Sequence, residues 1–155
     1  VTNDTELTIS RLIKALPSAV WDAWSDPAKL ASWWIPAPIL CRVDTLDLRP
    51  GGGFVTRMRE GDGDWQPHVD GCFLDVLPEQ RLVFTTVMTE GWQPVEPWLA
   101  ITAILTFTAQ DGGTLYSARV PHRSPEDSRK HEEMGFQDGW GTTLGQLADM
   151  LENRR

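Results

Sequence analysis

The sequence predicts an α+β fold: one curved antiparallel sheet of seven strands wrapped around a long C-terminal helix, with two short helices after the first strand. Three observations predict it. Six consecutive segments between residues 41 and 120 alternate apolar and polar residues with the period of a strand covered on one face. From Ser124 onward the apolar residues switch to helical spacing and form one stripe. Between the first strand and the other six lie two short Pro-started helical segments. A sheet with one apolar face and a helix with one apolar stripe bury each other when the sheet curves around the helix.

The elements follow in chain order. Residues 7–14 alternate in part and form the first strand, stopped by Pro17. The segment SAVWDAWS forms a short helix. Asp26 and Pro27 start a second, with Asp as N-cap and Pro at the first helical position. Pro36 and Pro38 end it, because neither can continue a helical ladder. Strands then span 41–48, 53–59, 69–77, 81–88, 101–108 and 114–120. Their inward faces carry Phe54, Thr56 and Met58; Cys72, Leu74 and Val76; Leu82, Phe84, Thr86 and Met88; and Ala103, Leu105 and Phe107. Asp111-Gly112-Gly113 marks a hairpin. Ser124-Pro125-Glu126-Asp127 starts the last helix, with Phe136, Trp140, Leu144, Leu147 and Leu151 on its stripe. Gly135, Gly139, Gly141 and Gly145 interrupt that helix at about 1 kcal/mol each against Ala. A close approach to the sheet, or room for a ligand, would explain them.

A chain of 155 residues, 41% hydrophobic and 23% charged, is expected to be a single globular domain spanning 1–155. Its net charge of −8 argues against nucleic acid, since no basic stripe exists to neutralise phosphates. No apolar run approaches the ~20 residues needed to cross a bilayer, and no secretory signal pattern opens the chain. Cys41 and Cys72 have no C-x-x-C partner and read as two reduced, buried thiols. A cytoplasmic protein without cofactor or metal is expected. Asp62-Gly63-Asp64 supplies too few oxygens for a calcium loop, and Gly51-Gly52-Gly53 leads into a strand rather than a phosphate-binding helix.

The eight tryptophans direct the search for a site. In a consecutive antiparallel meander alternate connections share one end. The short RPGGG, PEQ and QDGG turns then close one end of the sheet. The opposite end receives residues 33–40, 60–68, 89–99 and 121–124, which carry Trp33, Trp34, Trp65, His68, Trp92, Trp98 and His122. Loops gathered on a rigid scaffold are where binding residues concentrate, so the mouth of a pocket is expected there. Met58, Phe84 and Met88 on the strands, with Phe136 and Trp140 on the helix, complete the candidate lining. Trp33, Trp34 and Trp140 also suit a plain core role, and Trp92 and Trp98 suit a dimer contact. His68, His122 and His131 are the acid–base candidates, to be oriented by Asp70 or Glu132. Arg57 and Arg119 lie within strands, where an inward orientation would meet a carboxylate and an outward one solvent.

The segments PSAVWDAWSDPAKLASWW, DLRPGGGF, DGCFLDVLPEQRLVFT, DGGTLYSARV and HEEMGFQDGWGTTLGQLADML, in this order, resemble the activator of heat-shock protein 90 ATPase C-terminal-domain family, within the START and birch-pollen-allergen-like superfamily. The resemblance implies a helix-grip fold with an apolar cavity between sheet and helix. Relatives bind lipids, hormones or polyketides, or serve as co-chaperone domains, and a minority are enzymes. No catalytic residue carries over, because the family has no invariant constellation. The leading expectation is therefore a protein that binds an apolar or amphipathic small molecule, lipid-like or aromatic, without catalysis. Cyclase, hydratase or hydrolase chemistry through a His and an acid is the second reading. A chaperone-interaction module is the third. Homodimerisation through the loops or a sheet edge is left open.

Overall fold

The computed structural model describes residues 4–152; the expected domain span of 1–155 includes residues 1–3 and 153–155, which lie outside the described residues. Strand β1 (Glu6–Ile13) is followed by helices α1 (Pro17–Ser25) and α2 (Pro27–Trp33). Strands β2 (Leu40–Leu46), β3 (Gly53–Arg59), β4 (Gln66–Leu77) and β5 (Arg81–Thr85) come next. A small hairpin, β6 (Met88–Thr89) and β7 (Gln93–Pro94), precedes β8 (Thr102–Gln110) and β9 (Gly113–Pro121). Helices α3 (Pro125–Glu133) and α4 (Phe136–Glu152) end the described chain. The main sheet has the order β1-β9-β8-β5-β4-β3-β2 and every pairing is antiparallel. This is the expected helix-grip arrangement.

The helix starts work as the sequence indicates. The Asp26 side chain accepts from the Ala28 N–H at 3.0 Å, and Ser124 Oγ accepts from the Asp127 N–H at 3.1 Å. Pro27 has no N–H, so the Ala23 carbonyl at the end of α1 loses its usual helical donor. The indole N–H of Trp33 takes that place at 3.0 Å. Gln146 of α4 fixes the chain beyond: its amide N–H group donates to the carbonyls of Trp33 and Ile35, both at 3.0 Å, while its oxygen accepts from the Ala37 N–H at 2.7 Å. The Trp33-Trp34-Ile35 backbone is thereby bound to the C-terminal helix.

The core lies between the sheet and the helices. Trp24, Trp33, Phe54, Phe73, Phe84, Tyr116 and Phe136 are its largest fully buried side chains. Trp24 donates to the Tyr116 hydroxyl at 3.1 Å, which satisfies the polar end of each ring.

Three expectations need correction. The β4–β5 register shifts between Phe73 and Asp75, so Phe73 joins the core and Cys72 lies on the opposite face. A bulge of one residue reverses which side chains face inward. The strand expected over 81–88 leaves the sheet after Thr85. Thr86 Oγ1 accepts from the Ile101 N–H at 2.9 Å and donates to the Leu99 carbonyl at 2.7 Å, turning the chain away. Met88 consequently sits on the small hairpin rather than beside Leu82 and Phe84. The C-terminal helix is broken at Gly135, whose φ of 97° no L-residue adopts cheaply. A fourth point, left open by the sequence, is decided rather than corrected: Arg57 and Arg119 take the outward orientation, pairing with Asp44 at 2.7 Å and with Glu6.

Candidate functional site

A cavity of about 470 Å³ lies between the first half of β4, the segment 95–99 and the α3–α4 junction. Its apolar wall comes from Trp34, Val69, Phe84, Leu99, Ile101, Phe136 and Trp140. Met134 and Trp98, more than half exposed, and Val95 stand at its rim. Gly135 and Gly139 face it from the helix side. A Cβ placed on either would meet nothing within 4 Å. Of the two explanations for the helix glycines, room rather than close contact fits this pair.

Trp34 is the hub of the inner wall. Its ring lies 4.9 Å from Trp24, 5.7 Å from Trp33 and from Phe54, and 6.1 Å from Phe84 and from Trp140, centroid to centroid. The side chain is buried, yet its indole nitrogen has no hydrogen-bond partner. Next to it is His68, at 6.2 Å between ring centroids. His68 Nδ1 is 2.9 Å from Thr56 Oγ1, which also accepts from the Val69 N–H at 3.3 Å. Burial holds the His68 pKa at about 4, so the ring is neutral at physiological pH.

A second histidine borders the cavity at the α3 side. His122 Nδ1 donates to the Thr5 carbonyl at 3.1 Å. In the tautomer in which its Nε2 is an acceptor, the ring accepts from the Nδ1–H of His131 at 2.8 Å. His131 Nε2 is then left with a lone pair. Burial first, and the neighbouring His122 second, lower the His131 pKa to about 4. Neither cavity histidine is oriented by Asp70 or Glu132. Thr56 and His122 fill those places, because they lie next to the rings in space while the two acids are exposed.

Of the candidates drawn from the sequence, Trp34, His68, Phe84, Trp98, Phe136 and Trp140 line this cavity. Trp33 does not: its ring fills the core behind Trp34. Met58 packs against the core outside the lining. Trp65 is held between the guanidinium groups of Arg42 and Arg59, each 4.8 Å from its ring. Trp92 caps the RPGGG turn instead of joining the mouth. The Gly91 N–H donates to the Gly51 carbonyl at 2.8 Å, and the indole lies 3.0 Å from where a Gly51 Cβ would stand. The hairpin that carries Met88 packs against β4, and Trp98 but not Trp92 or Met88 lines the cavity. His122 lies behind His131. Sequence reasoning passed over Leu99, Ile101 and Met134; the break at Gly135, which puts Met134 on the rim, was the available signal. Among the described residues no group of side chains is arranged to hold a metal ion, and no helix is long and apolar enough to cross a membrane.

This fold with its cavity defines the class of helix-grip proteins, in which sheet and C-terminal helix enclose a ligand-sized space. The chain belongs to the family described as activator of Hsp90 ATPase homolog 1-like proteins, whose model matches residues 14–152. The family and its wider superfamily are known for ligand binding. A crystal structure of a Nitrosomonas europaea protein is 36% identical and covers 99% of this chain and 97% of its own, with a TM-score of 0.88. One from Mycobacterium smegmatis is 26% identical over 98% of this chain and 93% of its own, with a TM-score of 0.80. A solution structure from Arthrobacter aurescens, at 22% identity, covers 99% and 91% with a TM-score of 0.82 and speaks to the fold alone. No curated protein matches the chain.

Proposed function

We propose that this protein binds an apolar or amphipathic small molecule in the cavity between β4 and the α3–α4 junction. The observation that carries the reading is the cavity itself: about 470 Å³, walled largely by aromatic and aliphatic side chains and bordering the buried core. Pockets of this size with a few polar groups are typical of small-molecule sites. Burying the ligand's apolar surface supplies affinity at about 25 cal/mol per Å². Trp98, Met134 and Val95 form the entrance. Titration with N-phenyl-1-naphthylamine, a neutral aromatic dye that brightens in apolar surroundings, tests this. Saturable 1:1 brightening with quenching of tryptophan emission is expected; a linear, non-saturating response removes the reading.

One observation favours a second reading, proton transfer on a bound substrate. The Thr5–His122–His131 chain leaves an oriented imidazole lone pair at the cavity edge, the arrangement a general base requires. Deuterium exchange into the methyl group of 2-acetylnaphthalene, followed by NMR, tests it. Acceleration by the protein that His131→Ala abolishes supports the base; exchange at the buffer rate excludes it.

A further inference from the structure

His131 carries an atom that the fold leaves both unpaired and open. Among the described residues, the side-chain nitrogens and oxygens that are sealed from solvent without a partner are Trp34 Nε1 and Arg59 Nε. His131 Nε2 has no partner either, because the hydrogen bond of that ring runs through Nδ1 to His122. It is not one of the sealed atoms, so it meets open space. His131 is a buried residue of the cavity lining, and its ring stands edge-on to Phe136 at 5.1 Å between centroids. Its Nδ1 side faces His122, which lies outside this lining in a separate hollow with Val87 and Ala100. The two nitrogens of an imidazole point in divergent directions, so the open one is on the cavity side.

Which proton that nitrogen carries is decided at the far end of the pair. The Thr5 carbonyl can only accept, and it accepts from the His122 backbone N–H at 2.7 Å and from its Nδ1–H at 3.1 Å. A neutral His122 then presents a lone pair at Nε2. Only an N–H can face that lone pair at 2.8 Å, which puts the His131 proton on Nδ1 and leaves its Nε2 an acceptor. Burial first, and His122 second, hold the His131 pKa at about 4, so the lone pair persists through the neutral range.

The surroundings narrow what can meet it. The lining includes neither Lys nor Arg, and its two carboxylates, Asp70 and Glu96, are exposed. A buried carboxylate would find a lone pair and no countercharge. A hydroxyl would donate its proton to the lone pair, while Phe136 and Trp140, stacked at 5.4 Å, flank the apolar remainder.

We infer that His131 Nε2 is the recognition point for a ligand hydroxyl, so that the ligand is an uncharged apolar molecule bearing an alcohol or phenol O–H rather than a carboxylate. The inference rests on the cavity's being a ligand site. It requires no bond to be made or broken.

Calorimetric titration at about pH 7.5, where free imidazoles are mostly neutral, tests it with 2-naphthol, 2-methylnaphthalene and 2-naphthoate. The first two differ by a hydroxyl against a methyl of similar size. His131→Phe keeps a ring and removes the acceptor. It lowers the ratio of naphthol to methylnaphthalene affinities about tenfold, the factor expected for one buried hydrogen bond. In the unsubstituted protein the carboxylate binds more weakly than naphthol. A second readout needs no variant: the NMR signal of the unprotonated His131 nitrogen moves upfield when naphthol binds and stays in place with methylnaphthalene. An unchanged affinity ratio in His131→Phe, which would leave His68 as the other imidazole on the lining, overturns the inference while the cavity remains a ligand site. So does a carboxylate that binds more tightly than naphthol, or an unmoved nitrogen signal. Binding of none of the three probes overturns both.

Discussion

The indole N–H of Trp33 donates to the Ala23 carbonyl at 3.0 Å, occupying the place that the N–H of Pro27 would have filled had residue 27 not been proline. Its sequence neighbour Trp34 is just as aromatic in its surroundings and has no partner for the same atom. The two rings should therefore respond differently to the same substitution. Trp33→Phe strands a buried carbonyl; Trp34→Phe removes a buried donor that was already unpaired. We expect Trp33→Phe to lose about 1–3 kcal/mol more stability than Trp34→Phe in urea titrations. Equal losses would mean that the Trp33 bond contributes nothing beyond ring packing.

Gln146 directs both of its amide N–H donations and one acceptance to a single segment, Trp33, Ile35 and Ala37. Gln146→Ala leaves two carbonyls and one N–H of that segment unpaired and should cost about 2–3 kcal/mol. Gln146→Glu offers no rescue, since it sets a carboxylate against two carbonyls. Chemical denaturation of both variants checks this; a Glu variant as stable as the parent would show that the segment is held by packing alone.

Gly135 and Gly139 both face open space, yet they should behave oppositely. Gly139 is within α4 with ordinary helical geometry, so Gly139→Ala should raise stability by about 0.5–1 kcal/mol. Gly135 has φ of 97°, so Gly135→Ala should lower it by about 1–2 kcal/mol despite the available room. Thermal melting of the two variants decides it, and shifts of the same sign would contradict the assignment of the helix break.

His68 and His131 are both held at about pKa 4, against 6.5 for the free side chain, with burial the leading cause in each. The unfolded chain therefore binds more protons than the folded one across that interval, and stability rises with pH there. Above about pH 6.5 the two histidines leave stability flat. Between 6.5 and 4 acidification weakens the fold, and below 4 their contribution to the loss levels off. The charged groups on the cavity are Asp70 and Glu96, with Glu132 next to His131 in the chain. Because ordinary carboxylates stay largely ionised above about pH 5, urea midpoints between about pH 7 and 5 isolate the histidines. A midpoint that falls in that range, and falls less in His68→Asn, is expected; an unchanged midpoint would place both rings in contact with water.

The fold was legible because its signals are local and repeated: alternation along each strand, the Asp26-Pro27 and Ser124-Pro125 helix starts, and the helical stripe from Phe136 to Leu151. The resemblance carried by five ordered segments agreed with them. The site was legible in part. Trp34, His68 and Trp98 were recoverable because topology brings alternate connections to one end, and Phe84, Phe136 and Trp140 because periodicity puts them on the inward strand and helix faces. Trp65 and Trp92 were not, for a different reason in each case. Trp65 is captured by Arg42 and Arg59, a pairing across strands that spacing does not disclose. Trp92 is carried off by a hairpin whose turn needs positive φ at Gly91 and Trp92, and the Pro94 within its second strand hides the strand signal. The bulges in β4 likewise depend on partner strands, so the inward position of Phe73 was read one residue out.

The most direct probe of the cavity as a ligand site is to fill it without disturbing its walls. Gly139 lines the cavity and a Cβ there meets nothing within 4 Å, so Gly139→Leu is expected to carry its side chain into that space. Titrated with N-phenyl-1-naphthylamine, the unsubstituted protein should bind one equivalent, and Gly139→Leu, with an unchanged circular dichroism spectrum, should bind at least about tenfold more weakly, as expected when an apolar contact surface is lost to the ligand. Equal affinity in the two proteins would place the dye elsewhere and contradict the assignment of this cavity as the binding site.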